Sequence, residues 1–468
     1  MISKGDEIVV DVDELSSEGK GVSRAEGGFV VFSAGTLPGD KARVKITKKK
    51  SAYAESQLSE LISPSPNRIP AECSHFGICG GCKVQNLKYE NQLRFKTGIV
   101  RNAIQRIGGF DFSEIPDAIA SPEIFYYRNK MEFSFSDDVW RTDPKETSEV
   151  KFALGLHVPG FHSKIVNIDE CRLQSDVSNK ILNITRNFFE AKEVRSYTTK
   201  THSGYLRFLI IRQTKRTSQL MVNLITSEYD EVLTKEFSDH LLSAIPEIST
   251  IINSVSRRKA QIAVADESFV IHGSGMMNEK LRSATGREFI FDISPGSFFQ
   301  TNIFQCEKLF DTAVEFADIK SDDKVLDLYC GTGAISFFLS EKARSVTGVE
   351  LVEDSIIDAR KNAEHNGIAN CTFVVSDIKD YLESNESQKN FSVVMLDPPR
   401  SGLHPAISEI LSFSTYRKIV YVSCNPQTQA RDLQLICAKG NYRIDRVQPF
   451  DMFPHTVHVE NIVSLEKV

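Results

Sequence analysis

Over the first 62 positions, apolar and polar residues alternate in short runs. IVVDVDEL, GGFVVFSA and DKARVKITKK place apolar side chains at nearly every second position, and the turn signals EGKG and LPGD separate them. A period of two with evenly spaced turns predicts a small β-barrel over residues 1–62. The proline-rich SPSPNRIP (Ser63–Pro70) then reads as a linker. KYENQLRFKTGIVRNAIQRIGGF follows with a helical period and ends at Gly108-Gly109, predicting an amphipathic helix. From about 120 to 285 the pattern is mixed and rich in strands, and LRFLIIRQTKRTSQLMVNLIT reads as a hairpin. Residues 63–290 are therefore expected to form a mixed α+β central region.

From about residue 291 the pattern changes. Apolar strands (KVLDLYC, SVTGVEL, CTFVVSD, FSVVMLDPP, KIVYVSC) alternate with helical segments. This predicts a doubly wound α/β sheet over 291–468, with helices on both faces. YRIDRVQPFDMF and HVENIVSLEKV have no helix between them, so they should pair antiparallel at one side of that sheet.

Composition is that of a folded, soluble-type chain, 41% apolar and 25% charged over 468 residues, too long for a single core. No run approaches the roughly 18 apolar residues of a membrane span, and MISKGDEIVV lacks the apolar stretch of a secretory signal, so a cytoplasmic location without membrane contact is expected. The net charge of -6 does not favour a polyanionic partner. Basic residues do cluster in KARVKITKKK (Lys41–Lys50) and SRRKAQ (Ser256–Gln261), although each run also suits a solvated loop or edge. The nine cysteines are odd in number and spread along the chain, against a disulfide framework.

Several segments carry chemistry. In VLDLYCGTGAIS, Asp327, Gly331 and Gly333 fall at the turn from the first strand into a helix, where glycine lets the backbone approach a ligand. Glu350 ends the next strand about 20 residues on, where a carboxylate can bind ribose hydroxyls. This D-x-x-x-G-x-G turn resembles that of Rossmann-like S-adenosylmethionine-dependent methyltransferases. Asp377 ends the third strand, either near an adenine or as a helix cap.

Asp397-Pro398-Pro399-Arg400 ends the fourth strand. Enzymes that methylate exocyclic amines carry an aromatic after a similar Pro-Pro, so Arg400 argues for a different target atom. Cys424 ends the fifth strand, about 5 Å from the fourth. Asn425 can cap the following helix with Pro426 at its first position, and the helix N-terminus is expected to lower the thiol pKa.

A thiolate beside a methyl donor suits carbon 5 of uracil, which becomes nucleophilic once sulfur adds to carbon 6. A base must then take the carbon 5 proton. Glu460 lies at the start of the final antiparallel strand, which reaches the same end of the sheet. His455 and His458 are the competing bases and are expected to be local hydrogen-bonding residues.

With these residues in place, the chain resembles the RNA uracil-5-methyltransferases that make 5-methyluridine. SPGSFFQTN, DLYCGTG, LDPPRSGLHP, VYVSCNP and PHTVHVE carry the resemblance, in the family's order, across roughly the last 180 residues. It implies Cys424 as nucleophile, Glu460 as proton acceptor and Asp397 as a partner of the base. It also implies Gln300, Tyr329, Gly331, Gly333, Ala334, Glu350, Asp377 and Asp397 around S-adenosylmethionine.

The front half resembles the ribosomal branch, which acts on 23S rRNA. Residues 1–62 are similar to a TRAM domain, an OB-like barrel that binds RNA, and this turns the basic run into a phosphate contact surface. The tRNA-modifying branch usually lacks that barrel. The resemblance further implies a [4Fe-4S] cluster on Cys73, Cys79, Cys82 and Cys171, although cysteine spacing alone would equally suit zinc. A monomer acting on RNA is expected.

Three rivals are a radical enzyme that cleaves S-adenosylmethionine, an RNA cytosine-5-methyltransferase, and a non-catalytic RNA-binding module. The first uses C-x3-C-x2-C, whereas this chain has C-x5-C-x2-C. The second places its cysteines in other motifs. The third does not need Cys424, Asp397 and Glu460 together. Cys306, Cys330, Cys371 and Cys437 are left as ordinary buried thiols, with Cys330, in the glycine turn, the only plausible second nucleophile.

Overall fold

The computed structural model describes residues 2–112, 114–141, 152–161, 164–384 and 391–468. An N-terminal β-barrel, a mixed α+β central region and a doubly wound α/β sheet follow one another along the chain.

The barrel is a six-stranded sheet in the order Glu7–Asp11, Lys41–Lys49, Tyr53–Ser63, Val30–Ala34, Gly21–Arg24 and Glu14–Leu15. Alternation sets its inside and outside. Ala42, Val44 and Ile46 are buried while Lys41, Lys45 and Lys48 on the same strand face solvent.

The central sheet has seven strands, and its hairpin is Leu206–Gln213 against Leu220–Thr226. Buried Arg207 donates to the carbonyls of Ser256, Arg258 and Ala260, pinning the SRRKAQ loop while Arg257 and Arg258 pair with Glu267 and Asp266.

The C-terminal sheet holds β1 (Lys324–Leu328), β2 (Ser345–Glu350), β3 (Cys371–Val375), β4 (Val393–Leu396), β5 (Lys418–Ser423), β6 (Tyr442–Phe450) and β7 (Glu460–Lys467). Their spatial order is β3-β2-β1-β4-β5-β7-β6. The first five run parallel, and β7 enters antiparallel between β5 and β6. Both faces are covered, so successive strand residues alternate between two apolar cores: Val325, Val393 and Val420 on one side, Leu326, Val394 and Ile419 on the other.

Segments distant in sequence complete both cores. The hairpin Met277–Arg282 with Glu288–Ile293 sends Leu281, Phe289, Phe291 and Ile293 into the first. The helix Tyr89–Asn102 and the π-turn Ala103–Ile107 send Val100, Ala103 and Ile104 into the second. The helical pattern before Gly108 thus packs on the C-terminal sheet. No helix among the described residues is long and apolar enough to cross a membrane.

Candidate active site

The turn after β1 is built from left-handed residues. Tyr329 (φ 65°), Gly331 (φ 52°) and Gly333 (φ 85°) reverse the chain, and Gly333 starts the helix Ala334–Ser340. The amides of Tyr329 and Cys330 both donate to the Val349 carbonyl, tying the turn to β2 at 2.9 and 3.2 Å. A Cβ on Gly333 would come within 3.0 Å of Phe373, whereas one on Gly331 would meet nothing within 4 Å. The second glycine of the turn is needed for packing; the first faces open space.

Glu350 closes that space. One carboxylate oxygen accepts from the Gly331 amide (3.3 Å) and the other from the Leu351 and Val352 amides (2.8 and 3.0 Å). Asp327 is buried below the turn, with Ser336 donating to one oxygen while the other has no partner. Burial pushes its carboxyl up to about 7, with Asp397 and Glu350 adding repulsion. An open backbone cradle, a fixed carboxylate and an orphaned buried oxygen suit the polar edge of a nucleoside-bearing methyl donor.

Asp377 is exposed and caps the helix Ile378–Glu383, one oxygen accepting from the Lys379 and Asp380 amides at 2.8 and 3.2 Å. Gln300 is half-buried, and its carbonyl accepts from the Asn129 side chain at 2.8 Å. Phe298, two residues earlier, is 75% exposed, an aromatic surface the sequence reading did not single out.

The second part of the site lies at the ends of β4, β5 and β7. Ser423 pairs with Asn461, and Cys424 and Glu460 flank that terminal pair. Asn425 caps the helix Pro426–Cys437 by accepting from the Gln427 amide at 3.1 Å. Its side-chain amide donates to the Arg400 carbonyl at 3.1 Å, and Thr428 donates to the same oxygen at 3.3 Å. The loop after Asp397 is thereby fastened to the cysteine turn, and the Arg400 guanidinium reaches the Cys424 thiol.

Electrostatics here run against the expected direction. Burial and the neighbouring Glu460 and Asp397 push the Cys424 thiol up to about 11, outweighing Arg400. Burial, reinforced by Asp397, lifts Glu460 to about 8, with Arg400 and Lys96 opposing, and burial lifts Asp397 to about 7.

His455 is buried with φ 68°, stacks on Phe125 and is bracketed by Gln92, which accepts from its amide at 3.0 Å and meets Nδ1 at 3.2 Å. It is a structural residue. His458 is exposed, 3.4 Å from Arg400.

Two cations were missed by sequence reasoning. Arg400 was read only as a missing aromatic. Lys96 is fully buried against Asp451, and its charge is felt by Glu460. The four-residue spacing of Gln92, Lys96 and Val100, all buried, was the available signal.

Cys73, Cys79, Cys82 and Cys171 line one cavity of about 360 Å³ together with Gly80, Gly81 and Arg128. Among the described residues no three His, Cys, Asp or Glu converge to grip a single ion. Burial raises the Cys79, Cys82 and Cys171 thiols, Cys171 to about 11, and the neighbouring cysteines add to it, so holding these three as thiolates calls for a compensating cationic group. Of the remaining cysteines, Cys306 and Cys330 are buried and Cys371 and Cys437 half-buried.

The β3-β2-β1-β4-β5-β7-β6 sheet, its glycine turn and the acidic end of β2 define an S-adenosylmethionine-dependent methyltransferase. Residues 217–468 match the tRNA (uracil-5-)-methyltransferase family and residues 3–59 the TRAM domain. The chain is 38% identical to an uncharacterized RNA methyltransferase of Chlorobaculum tepidum, over 99% of this chain and 97% of that protein. It is equally identical to one of Bacteroides thetaiotaomicron, over 97% and 100%. Its fold is similar to that of the Pyrococcus abyssi tRNA (uracil-54, C5)-methyltransferase in complex with S-adenosyl-L-homocysteine, with TM-score 0.73 and 29% identity over 98% of this chain and 100% of that one. The chain belongs to the S-adenosylmethionine-dependent RNA uracil-5-methyltransferase family.

Proposed function

We propose that the protein methylates carbon 5 of one uridine in folded RNA through a transient bond between Cys424 and carbon 6 of the ring. The observation that supports this best is the meeting of Cys424, Glu460, Asp397 and Arg400 at one end of the sheet. The Cys424 thiolate adds to carbon 6, and the ring electrons move toward carbon 5 and the neighbouring carbonyl as an enolate. Carbon 5 takes the methyl group; S-adenosylmethionine bound at the Gly331 turn would supply it as an electrophile, the S–CH3 electrons staying on sulfur as S-adenosylhomocysteine leaves. Glu460 then accepts the carbon 5 proton; the electrons of that C–H bond restore the ring double bond, and the thiolate leaves.

Arg400 favours the thiolate. Asp397 in its protonated form can donate to a ring carbonyl as the enolate develops. A proton held on either carboxyl also removes repulsion that otherwise keeps the thiol protonated.

Residues 1–62 and 63–290 are the RNA-holding parts of this reading, and 291–468 is the methyltransferase domain. The four cysteines would hold a [4Fe-4S] cluster with a structural role, since methyl transfer moves no net electrons. The target we favour is 23S rRNA, on the barrel and the cysteine set, in the cytoplasm and by a single chain. One observation favours tRNA instead. The similar Pyrococcus protein, which acts on uracil 54 of tRNA by its name, spans 98% of this chain, front half included.

Two experiments test the proposal. RNA carrying 5-fluorouracil has no removable proton at carbon 5, so with the methyl donor it should trap wild type covalently and leave Cys424→Ala free. Mapping 5-methyluridine in rRNA and tRNA with and without the protein should show a loss from 23S rRNA. Loss from tRNA alone would move the assignment to the second reading, and loss from neither would end both.

A further inference from the structure

The segment that carries Glu460 into the site is held from outside the methyltransferase sheet. Between β6 and β7, residues 451–459 turn through His455 in a left-handed conformation costly for a non-glycine residue. Several contacts secure it. Lys96, from the helix Tyr89–Asn102, pairs with Asp451 and donates to the Phe453 carbonyl at 2.9 Å. Tyr127 donates to the Pro454 carbonyl at 3.2 Å, and the amides of Lys83 and Val84 donate to the His455 carbonyl at 2.9 and 3.1 Å. Asp451 directly follows Phe450, the residue that pairs with Glu460.

Lys96 is the notable member. Its side chain and that of Asp451 have no exposed surface, and removing two charges from water is costly unless the geometry repays it. A buried hydrophobic pair of similar size would pin the segment as well. An ammonium group differs in bringing positive charge near a carboxylate that must ionise, and its pairing with Asp451 works against the burial that lowers its own pKa.

We propose that Lys96 is a positioning residue for proton removal: paired with Asp451 and donating to the Phe453 carbonyl, it fixes the segment that delivers Glu460 and adds buried positive charge to that of Arg400 near the proton acceptor. This rests on the role of Glu460 proposed above. The groups facing Glu460 are Asp397 from the end of β4, Arg400 from the loop after it, Cys424 from the end of β5, Cys306 from the helix Ile303–Ala317, and Lys96. Arg400 is exposed and shared with Cys424 and His458, whereas Lys96 is the fully buried cation of the set. Tyr89 and Lys96 both face Asp451.

The test separates bond formation from proton removal. Lys96→Met, Lys96→Arg and the double variant Lys96→Met/Asp451→Leu are compared with wild type in two assays. With 5-fluorouracil RNA, which needs no proton removal, Lys96→Met and the double variant should trap at close to the wild-type rate. With uridine RNA, both should turn over about tenfold more slowly at neutral pH, accumulate the protein–RNA adduct, and recover about one pH unit higher. Lys96→Arg should restore most of the turnover.

The double variant covers the case in which Lys96→Met does not fold, because it leaves no lone buried carboxylate. A wild-type pH profile in the double variant overturns the proposal. So does a trapping rate that falls in parallel with turnover, which would reduce Lys96 to a structural role. Failure of wild type itself to trap would overturn the nucleophile assignment and this proposal with it.

Discussion

Cys424 and Glu460 flank the terminal Ser423–Asn461 pair of β5–β7, Cys424 one residue past the end of β5 and Glu460 at the start of β7. The end of one sheet ladder therefore brings the proposed nucleophile and the proposed base to the same place. Neither side chain needs a mobile loop to find the other, and register is strongly specified where both faces of a sheet are buried.

Replacing Glu460 by Gln keeps the shape and removes the acceptor. The methyl group should still be transferred and the thiolate should then be trapped. Turnover is expected to fall about 10²- to 10⁴-fold, the usual worth of a positioned base. A methylated protein–RNA adduct should build up on denaturing gels. Free methylated RNA at the normal rate would remove Glu460 from its role.

The pH dependence follows from the same burial. Glu460 accepts a proton only when ionised, so its limb of the kcat/KM profile should rise with pH through about 8, against a falling limb from Asp397, whose proton is lost near 7. The raised thiol acts in the same direction, since its thiolate fraction also grows with pH. Asp397→Asn removes the falling limb, and a profile that still falls from pH 6 to 8 in that variant would contradict both assignments.

Stability should move the other way. Glu460 and Asp397 have folded pKa values above their usual carboxyl values, so the folded state binds protons more tightly. Their contribution is complete below about pH 4 and is lost as pH rises toward 7 and 8. In the absence of RNA and cofactor, Glu460→Gln and Asp397→Asn should therefore be more stable than wild type at pH 8, by a few degrees in Tm, while losing activity. Identical melting of all three at pH 8 would show that the carboxyls are not strained by burial.

Several parts of this site were legible in the sequence for physical reasons. The missing helix between the last two apolar runs made β6–β7 a hairpin, and an antiparallel last strand had to bring its first residue to the ligand side. The thiol's charge state was not legible. A linear reading sees the helix that starts at Pro426, but Asp397 and Glu460 are brought to the sulfur by sheet order. Lys96 was hidden for the same reason, since Asp451 lies 355 residues away. Asp377 left two readings open, and the cap is visible in the fold while its second oxygen makes no hydrogen bond to these amides.

Gly331→Val tests the cofactor cradle. The residue sits at φ 52°, where a β-branched side chain is strained by roughly 1–2 kcal/mol, and the new methyl groups would enter the open space beside Glu350. Affinity for S-adenosylhomocysteine should drop at least tenfold, about 1.4 kcal/mol, by calorimetry, with far-UV circular dichroism unchanged. Unaltered affinity would place the ligand elsewhere.

The cysteine set should matter to the chemistry through the backbone beside it. Cys82 is followed by Lys83 and Val84, whose amides hold the His455 carbonyl in the segment leading to Glu460. Arg128 lines the cysteine cavity and lies over the Phe453 ring of that segment, 5.9 Å from its centroid. A [4Fe-4S] cluster on Cys73, Cys79, Cys82 and Cys171 would anchor this loop from below. Cys73→Ser should then lose iron and the brown colour, and weaken RNA binding. Binding of S-adenosylhomocysteine should survive, because no cysteine of the set contributes to the Gly331 turn. Loosening the Lys83–Val84 contact should also slow resolution of the RNA adduct more than its formation. Iron content, colour and adduct kinetics all unchanged in Cys73→Ser would exclude that cysteine as a ligand, and iron loss with normal adduct resolution would break the link between the cluster loop and the proton acceptor.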